Sequence, residues 1–209
     1  MVILKKNAQN TYENSTLFAT LHLDKRVICD RIMLSNQKGT FIMETTIQQQ
    51  SAQKLLDAAK NLVKKAHVST PSQRANFIEA KIAFGKEFSN IPDEDKREVV
   101  SQAKEISQNE GSSLLAQTAY DNIEYKYYEH ILRTFMARIN ETILQSGRSN
   151  ARNDIYQELC SLTERELEGV KELHERQKQS KKDFTRETFE DATLILDDAL
   201  KALAAAQQR

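Results

Sequence analysis

Four histidines and two cysteines are the residues of this sequence that could hold a metal ion or act as nucleophiles. They are His22, His67, His130, His174, Cys29 and Cys160. No histidine follows a glutamate by three residues, so the Glu-x-x-His pattern of di-iron helical bundles is absent. The His-Glu-x-x-His zinc motif and the Cys-x-x-Cys motif are absent too. The spacing therefore predicts neither a metal centre nor a bound cofactor.

The residue pattern also gives little support for catalysis without a cofactor. There is no glycine-rich phosphate loop and no Gly-x-Ser-x-Gly nucleophile motif. His130 stands beside Glu129, but one histidine specifies no reaction, and we expect a structural or surface histidine. Nothing in the spacing supports Cys160 with His130 or His174 as a nucleophile pair. The sequence favours a protein that is not an enzyme over one that assembles scattered groups.

A basic cluster near the C-terminus is the candidate site for nucleic acid. Its members are Arg176, Lys178, Lys181, Lys182 and Arg186, and Lys126, Arg133, Arg138, Arg148 and Arg152 extend it across preceding helices. Acidic residues interleave with the cluster, which is typical of a solvated helix face. The formal net charge of zero creates no global field that favours nucleic acid or a membrane. A nucleic-acid-associated regulator is therefore the alternative function.

The composition predicts long helices. Only five glycines and two prolines occur among 209 residues, too few for the many turns of an all-β fold. No apolar run approaches the length of a membrane span, and the first residues do not resemble a signal peptide. We expect a soluble, cytoplasmic protein. We also expect buried, reduced thiols at Cys29 and Cys160, with a disulfide between them as the alternative.

The longest helical pattern, over residues 113–146, organises the predicted fold. It contains neither Gly nor Pro, and Ser113 and Gly147 are placed to cap its two ends. Tyr120, Tyr127 and Tyr128 lie in this stretch and form a candidate aromatic face. We expect neighbouring helices to bury this face; a groove for a ligand or a partner is the alternative.

Shorter amphipathic stretches precede and follow this helix. A stripe from Ala52 to Ala66 predicts a first helix, and Thr70 with Gln73 predicts a capping box that starts a second. The second helix is expected to turn inward Ala75, Phe77, Ile78, Ile82 and Phe84. A later stripe over Ile155, Leu159, Leu162, Val170 and Leu173, interrupted by Glu166, predicts a single fifth helix. Whether the helix over 151–207 is continuous or broken near Ser180 stays open.

The C-terminal part of the chain has the most regular apolar spacing. Phe189, Leu196 and Leu203 alternate with alanines at steps of three and four residues, as in a coiled coil. We call these three residues the C-terminal seam and regard it as a candidate interaction surface. Because it spans fewer than about three heptads, packing within a bundle is favoured over a free coiled coil.

Residues 1–42 differ from the rest of the chain. Their patterning is weakly strand-like, which predicts a β-hairpin or a poorly ordered segment, and they carry six Lys/Arg against three Asp/Glu. Helical periodicity begins just after Met43, and the codons for Lys38-Gly39 are purine-rich, like a bacterial ribosome-binding site. We expect residues 1–42 to be an extension, with Met43 as a natural start; a hairpin docked on the bundle is the alternative.

These patterns together predict a mainly all-α protein. The expected architecture is a bundle of five to six helices over residues 43–209, built around the long helix near 113–146. The absence of site chemistry and the regular seam favour a non-catalytic interaction or adaptor protein. Such a protein would bind another protein, or itself, through helix faces.

Overall fold

A computed structural model describes residues 47–111, 113–179 and 187–208, the side chains of 187–190 excepted. Every regular element in these ranges is an α-helix and none is a strand, which confirms the predicted all-α fold. The helices are α1 (47–64), α2 (Pro71–Ser89), α3 (Lys96–Asn109), α4 (Leu114–Ser146), α5 (Arg148–Cys160), α6 (Glu164–Gln179) and α7 (Glu187–Gln207). Residues 51–64 of α1 and helices α2 to α7 belong to one compact unit, Ser51–Arg209. The predicted hairpin, the extension over 1–42 and the start at Met43 lie outside the described residues.

Helix α4 is the element on which the bundle is built, as the sequence predicts. Its 33 residues span about 50 Å at about 1.5 Å per residue. The Ser113 hydroxyl accepts a hydrogen bond from the Ala116 amide and caps the first turn. Gly147 follows the last turn with a φ of 87°, a conformation that side chains with a Cβ rarely adopt. Helices α3, α5, α6 and α7 all pack against α4.

One apolar core joins the helices. Its fully buried side chains include Leu55 and Leu56 of α1, Ile123, Leu132 and Ile139 of α4, Ile155 and Leu159 of α5, Val170 of α6 and Leu196 of α7. Burying a side chain of this size contributes about 1.5–3 kcal/mol, so the amphipathic stripes supply most of the stability of the helices. No helix in the described ranges combines the length and the apolar character that crossing a membrane requires.

The described ranges contain seven helices, so the predicted count of five to six is too low. The difference arises because the predicted fifth helix is two helices, α5 and α6, separated at residues 161–163. Thr163 and Glu166 form a capping box at this break: the Glu166 carboxylate accepts from the Thr163 amide, and the Thr163 hydroxyl accepts from the Glu166 amide. The possible break near Ser180 falls among residues 180–186, which are not described.

Helix α2 departs from its predicted orientation. The capping box of Thr70 and Gln73 is present as predicted. The helix, however, turns the row Ala80, Phe84 and Phe88 into the core and leaves Ile78 and Ile82 48% and 65% exposed. Ala75 is exposed as well. One face of a helix cannot bury both apolar rows, and the two phenylalanines decide which row packs inward.

Candidate functional site

The three tyrosines of the candidate aromatic face lie where α4 packs against α3 and α6. Tyr120 and Tyr127 are buried and Tyr128 is half-buried. The Tyr127 hydroxyl donates to Glu166 over 2.9 Å, and the Tyr120 hydroxyl donates to Glu124 over 3.0 Å. In the sequence Glu166 is an interruption of an apolar stripe. In the fold it is the hydrogen-bond acceptor that Tyr127 requires when it is buried.

Two arginines complete this polar cluster. Arg97 donates through Nε and a terminal nitrogen to the two oxygens of Glu166, over 2.9 and 2.8 Å. Arg165 forms the same bidentate contact with Glu124: its Nε and a terminal nitrogen lie 2.6 and 2.8 Å from the two carboxylate oxygens. We call these two ion pairs with their tyrosines the Arg–Glu–Tyr network. It borders a groove of about 390 Å³ between α3, α4 and α6.

The charges of this network are fixed near neutral pH. Burial raises the pKa of Tyr127 to about 12, and the hydrogen bond to Glu166 adds to this effect. Burial also favours a higher pKa for the Glu166 carboxyl, but hydrogen bonds from Thr163, Arg97 and Tyr127 outweigh it, and the pKa falls below 4.5. A general acid or base works best with a pKa near the operating pH. Both shifts lead away from neutrality, so Tyr127 stays neutral and Glu166 stays ionised near neutral pH.

The histidines are dispersed through the part of the chain that is described. His174 is buried and lies 2.8 Å from the Asp197 carboxylate, which joins α6 to α7. His130 packs edge-on against the Phe88 ring and is 3.4 Å from Asp93. His67 is exposed, and His22 lies outside the described residues. Groups of three His, Cys, Asp or Glu side chains that could hold a metal ion do not occur among the described residues.

Cys160 is a free thiol at the last position of α5. It is exposed, so the expectation of a buried thiol is wrong for this residue. The physical reason is its place at the surface turn between α5 and α6, where it belongs to neither apolar stripe. Cys29 lies outside the described residues.

The basic cluster is paired with acidic side chains wherever it is described. Arg176 contacts Glu172 over 2.5 Å, and Lys178 contacts Glu175 and Asp197 over 3.0 Å each. Lys181, Lys182 and Arg186 fall among the residues that are not described. Four of the five residues on the preceding helices are paired as well: Lys126 and Arg133 with Glu129, Arg138 with Glu158 and Arg148 with Asp191. Arg152 is exposed and forms no ion pair with a described residue. Each carboxylate offsets one positive charge that phosphate groups would need, and Glu129 is shared between Lys126 and Arg133.

The C-terminal seam faces the core of its own chain. Leu196 and Leu203 are buried, and α7 packs against α4 and α5. The side chain of Phe189 is not described. Leu194, on another side of α7, is 60% exposed. The two described leucines of the seam therefore act as core residues here, and their role in an interaction stays a prediction.

A larger cleft lies between α1, α2 and α4, and the sequence patterns did not predict it. It encloses about 670 Å³. Its apolar lining comes from Leu62 and Val63 of α1, Ala66 in the segment that follows α1, Phe77, Phe84 and Gly85 of α2, and Tyr125 of α4. Ile78 and Ile82 of α2 do not line the cleft, but both are exposed, and Ile78 lies two helical turns before Gly85 on nearly the same side of the helix. The two apolar rows on α2 were the available signal, because one helix face can bury only one of them.

Gly85 lines this cleft, and its surroundings differ from those of Gly169, the other described glycine inside a helix. A Cβ added there would meet no atom within 4 Å, whereas a Cβ at Gly169 in α6 would lie 2.2 Å from the Tyr128 ring. Gly111 and Gly147 adopt positive φ angles at helix ends. Glycine inside a helix costs about 0.5–1 kcal/mol relative to alanine. Of the glycines that the structure describes, Gly85 alone has no role in the packing or turns of its own chain.

The candidate binding surfaces of the described chain are the cleft between α1, α2 and α4, the groove beside the Arg–Glu–Tyr network, and helix α7. The groove is lined by paired charges, and the described leucines of the seam are used by the core. The cleft remains the candidate interaction site, since its apolar walls are open. Comparison of the chain with protein-family models, with curated proteins and with solved structures finds no match.

Proposed function

We propose that this protein is a non-catalytic interaction protein that binds a helical segment of another protein in the cleft between α1, α2 and α4. The observation that carries the proposal is the cleft of about 670 Å³ lined by Phe77 and Phe84, together with Ile78 and Ile82, which are exposed on the same helix. Apolar clefts and exposed apolar side chains on a folded chain commonly mark a binding site. The cytoplasmic location expected from the sequence remains part of this proposal.

The shape of the cleft supports a helical partner. Its walls are the helices α1, α2 and α4, and Phe77 and Phe84 line it two helical turns apart on α2. Apolar grooves between helices receive the apolar face of an amphipathic helix in many complexes. Nucleic-acid binding has no comparable support, because the described members of the basic cluster are paired with carboxylates. An enzymatic function has no comparable support either, because Glu166 and Tyr127 of the Arg–Glu–Tyr network are engaged in an ion pair and a hydrogen bond between helices.

Selection of binding peptides on the full 209-residue chain tests the proposal. The library displays random segments of about 20 residues, long enough to form a helix when bound. The decisive variant is Gly85→Trp, which places a large ring at the cleft where a Cβ has open space. Ala205→Trp is the matched control, because Ala205 is an exposed helical residue that does not line the cleft.

We expect enriched segments to bind the Gly85→Trp variant at least about tenfold more weakly than the Ala205→Trp variant. Circular dichroism and thermal melting establish that both variants are folded. Equal binding to the two variants would place the interaction elsewhere on the chain. A library that yields no specific binder would refute the protein-binding function itself.

A further inference from the structure

The cleft is lined by more positively charged than negatively charged residues. Lys81 of α2 and Lys126 and Arg133 of α4 provide three positive charges against the single negative charge of Glu129, a net charge of +2. Glu129 already contacts Lys126 over 2.7 Å and Arg133 over 2.5 Å. Lys81 forms no hydrogen bond or ion pair with any described residue. The lining of the cleft is thus apolar with an excess of positive charge.

Gly85 adds a geometric constraint on the occupant. It lies in α2 beside Phe84 and lines the cleft, and no atom of the described chain approaches the position of its missing Cβ. Where one of two packed helices lacks a side chain at the contact, the helix axes can approach more closely. A glycine that no neighbour in its own chain requires is suited to such an approach by another backbone.

We infer that the occupant of the cleft is an amphipathic helix whose apolar face packs over Phe77, Phe84 and Gly85 and whose flank carries Asp or Glu side chains opposite Lys81. This inference rests on the proposed function and specifies the chemistry of the partner. The apolar lining requires side chains at i, i+3 or i+4, and i+7 of the partner. The net charge of +2 selects the sign of the charges that border them.

Three synthetic peptides of about 20 residues separate the elements of this inference. The first combines a leucine face at helical spacing with glutamates on the flanks. The second keeps the leucines and replaces every glutamate with lysine. The third keeps the composition of the first and places a proline at its centre, which prevents a continuous helix. Fluorescence polarisation with the full chain measures the three dissociation constants at low and at high salt.

The glutamate peptide should bind at least about tenfold more tightly than the lysine peptide, and added salt should reduce the difference. The proline peptide should bind weakly. Lys81→Glu should weaken binding of the glutamate peptide by at least about threefold. Lys86→Glu, on the same helix but outside the cleft, should not, and it is the matched control for the charge reversal.

The failure of this inference can be distinguished from the failure of the proposed function. Equal affinity for the glutamate and lysine peptides, or for the straight and proline-containing ones, would overturn the acidic helix while leaving a protein-binding cleft. The acidic helix is likewise overturned if no synthetic peptide binds but the display library yields segments that Gly85→Trp blocks. If Gly85→Trp blocks no binder of any kind, the cleft is not a binding site and both proposals fall.

Discussion

Gly85 and Gly169 allow a paired test of how α2 and α6 pack in the bundle. Both lie inside helices, so replacing either with alanine should gain the same about 0.5–1 kcal/mol of helix stability. They differ in their surroundings, because a Cβ at residue 85 meets nothing within 4 Å and a Cβ at residue 169 meets the Tyr128 ring. We expect Gly85→Ala to stabilise the protein and Gly169→Ala to destabilise it.

The magnitude follows from the contact distances. The new methyl group at residue 169 would lie 2.2 Å from two carbons of the Tyr128 ring, whereas carbon atoms pack best about 3.5–4.0 Å apart. The ring cannot swing aside freely, because it is half-buried and packed against the apolar core. Overpacking of this kind costs about 1–3 kcal/mol. Since the helix gain is common to both variants, their unfolding free energies should differ by about that amount.

Urea unfolding monitored by circular dichroism measures this difference. At a slope of about 1–3 kcal/mol per molar urea, the two midpoints should separate by several tenths of a molar or more, on opposite sides of the parent chain. Tyr128→Leu with Gly169→Ala should recover part of the loss, because the smaller side chain vacates the space. If Gly169→Ala is as stable as Gly85→Ala, the close packing of α6 on α4 is incorrect.

Three further predictions concern the Arg–Glu–Tyr network and the core. Glu166→Gln removes the charge of a buried acceptor that binds Arg97 and Tyr127, and it should cost about 1–3 kcal/mol in urea unfolding. Glu164→Gln, exposed in the same turn, should cost less than about 0.5 kcal/mol. Because the folded chain holds the pKa of Glu166 below 4.5, the stability from this carboxylate is complete above that pH and declines as the pH falls through the lower folded value. Unfolding measured across this acidic range should show a shallower decline in Glu166→Gln than in the parent chain. Leu196→Ala should cost about 2–5 kcal/mol and Leu194→Ala little, since the first side chain is fully buried and the second is 60% exposed; equal costs would contradict the orientation of α7.

The ends of several helices were predictable from the sequence because capping is local. Thr70 and Gln73 form the predicted capping box, and Ser113 and Gly147 bound the long helix as expected. Each of these features depends on residues within about four positions of one another. The break between α5 and α6 carried a similar signal in Thr163-x-x-Glu166, but the apolar stripe that continues past it obscured the signal.

Which faces of the helices meet depended on the tertiary structure. Two apolar rows on α2 compete for the core, and only the position of α2 in the bundle shows that Phe84 and Phe88 are buried while Ile78 and Ile82 are exposed. The cleft arises from this choice. Helical periodicity identifies apolar rows without ranking them, because the ranking depends on the neighbours that a row meets.

The role of Glu166, like the orientation of α2, became clear only from the tertiary structure. In the sequence it is a carboxylate within an apolar stripe, and in the fold it accepts hydrogen bonds from Arg97, 69 residues away, and from Tyr127, 39 residues away. The sequence determined the helices and most of their caps, since these depend on residues close together in the chain. The tertiary structure decided the partners of Glu166 and the open side of α2, because both depend on contacts between residues that only folding brings together.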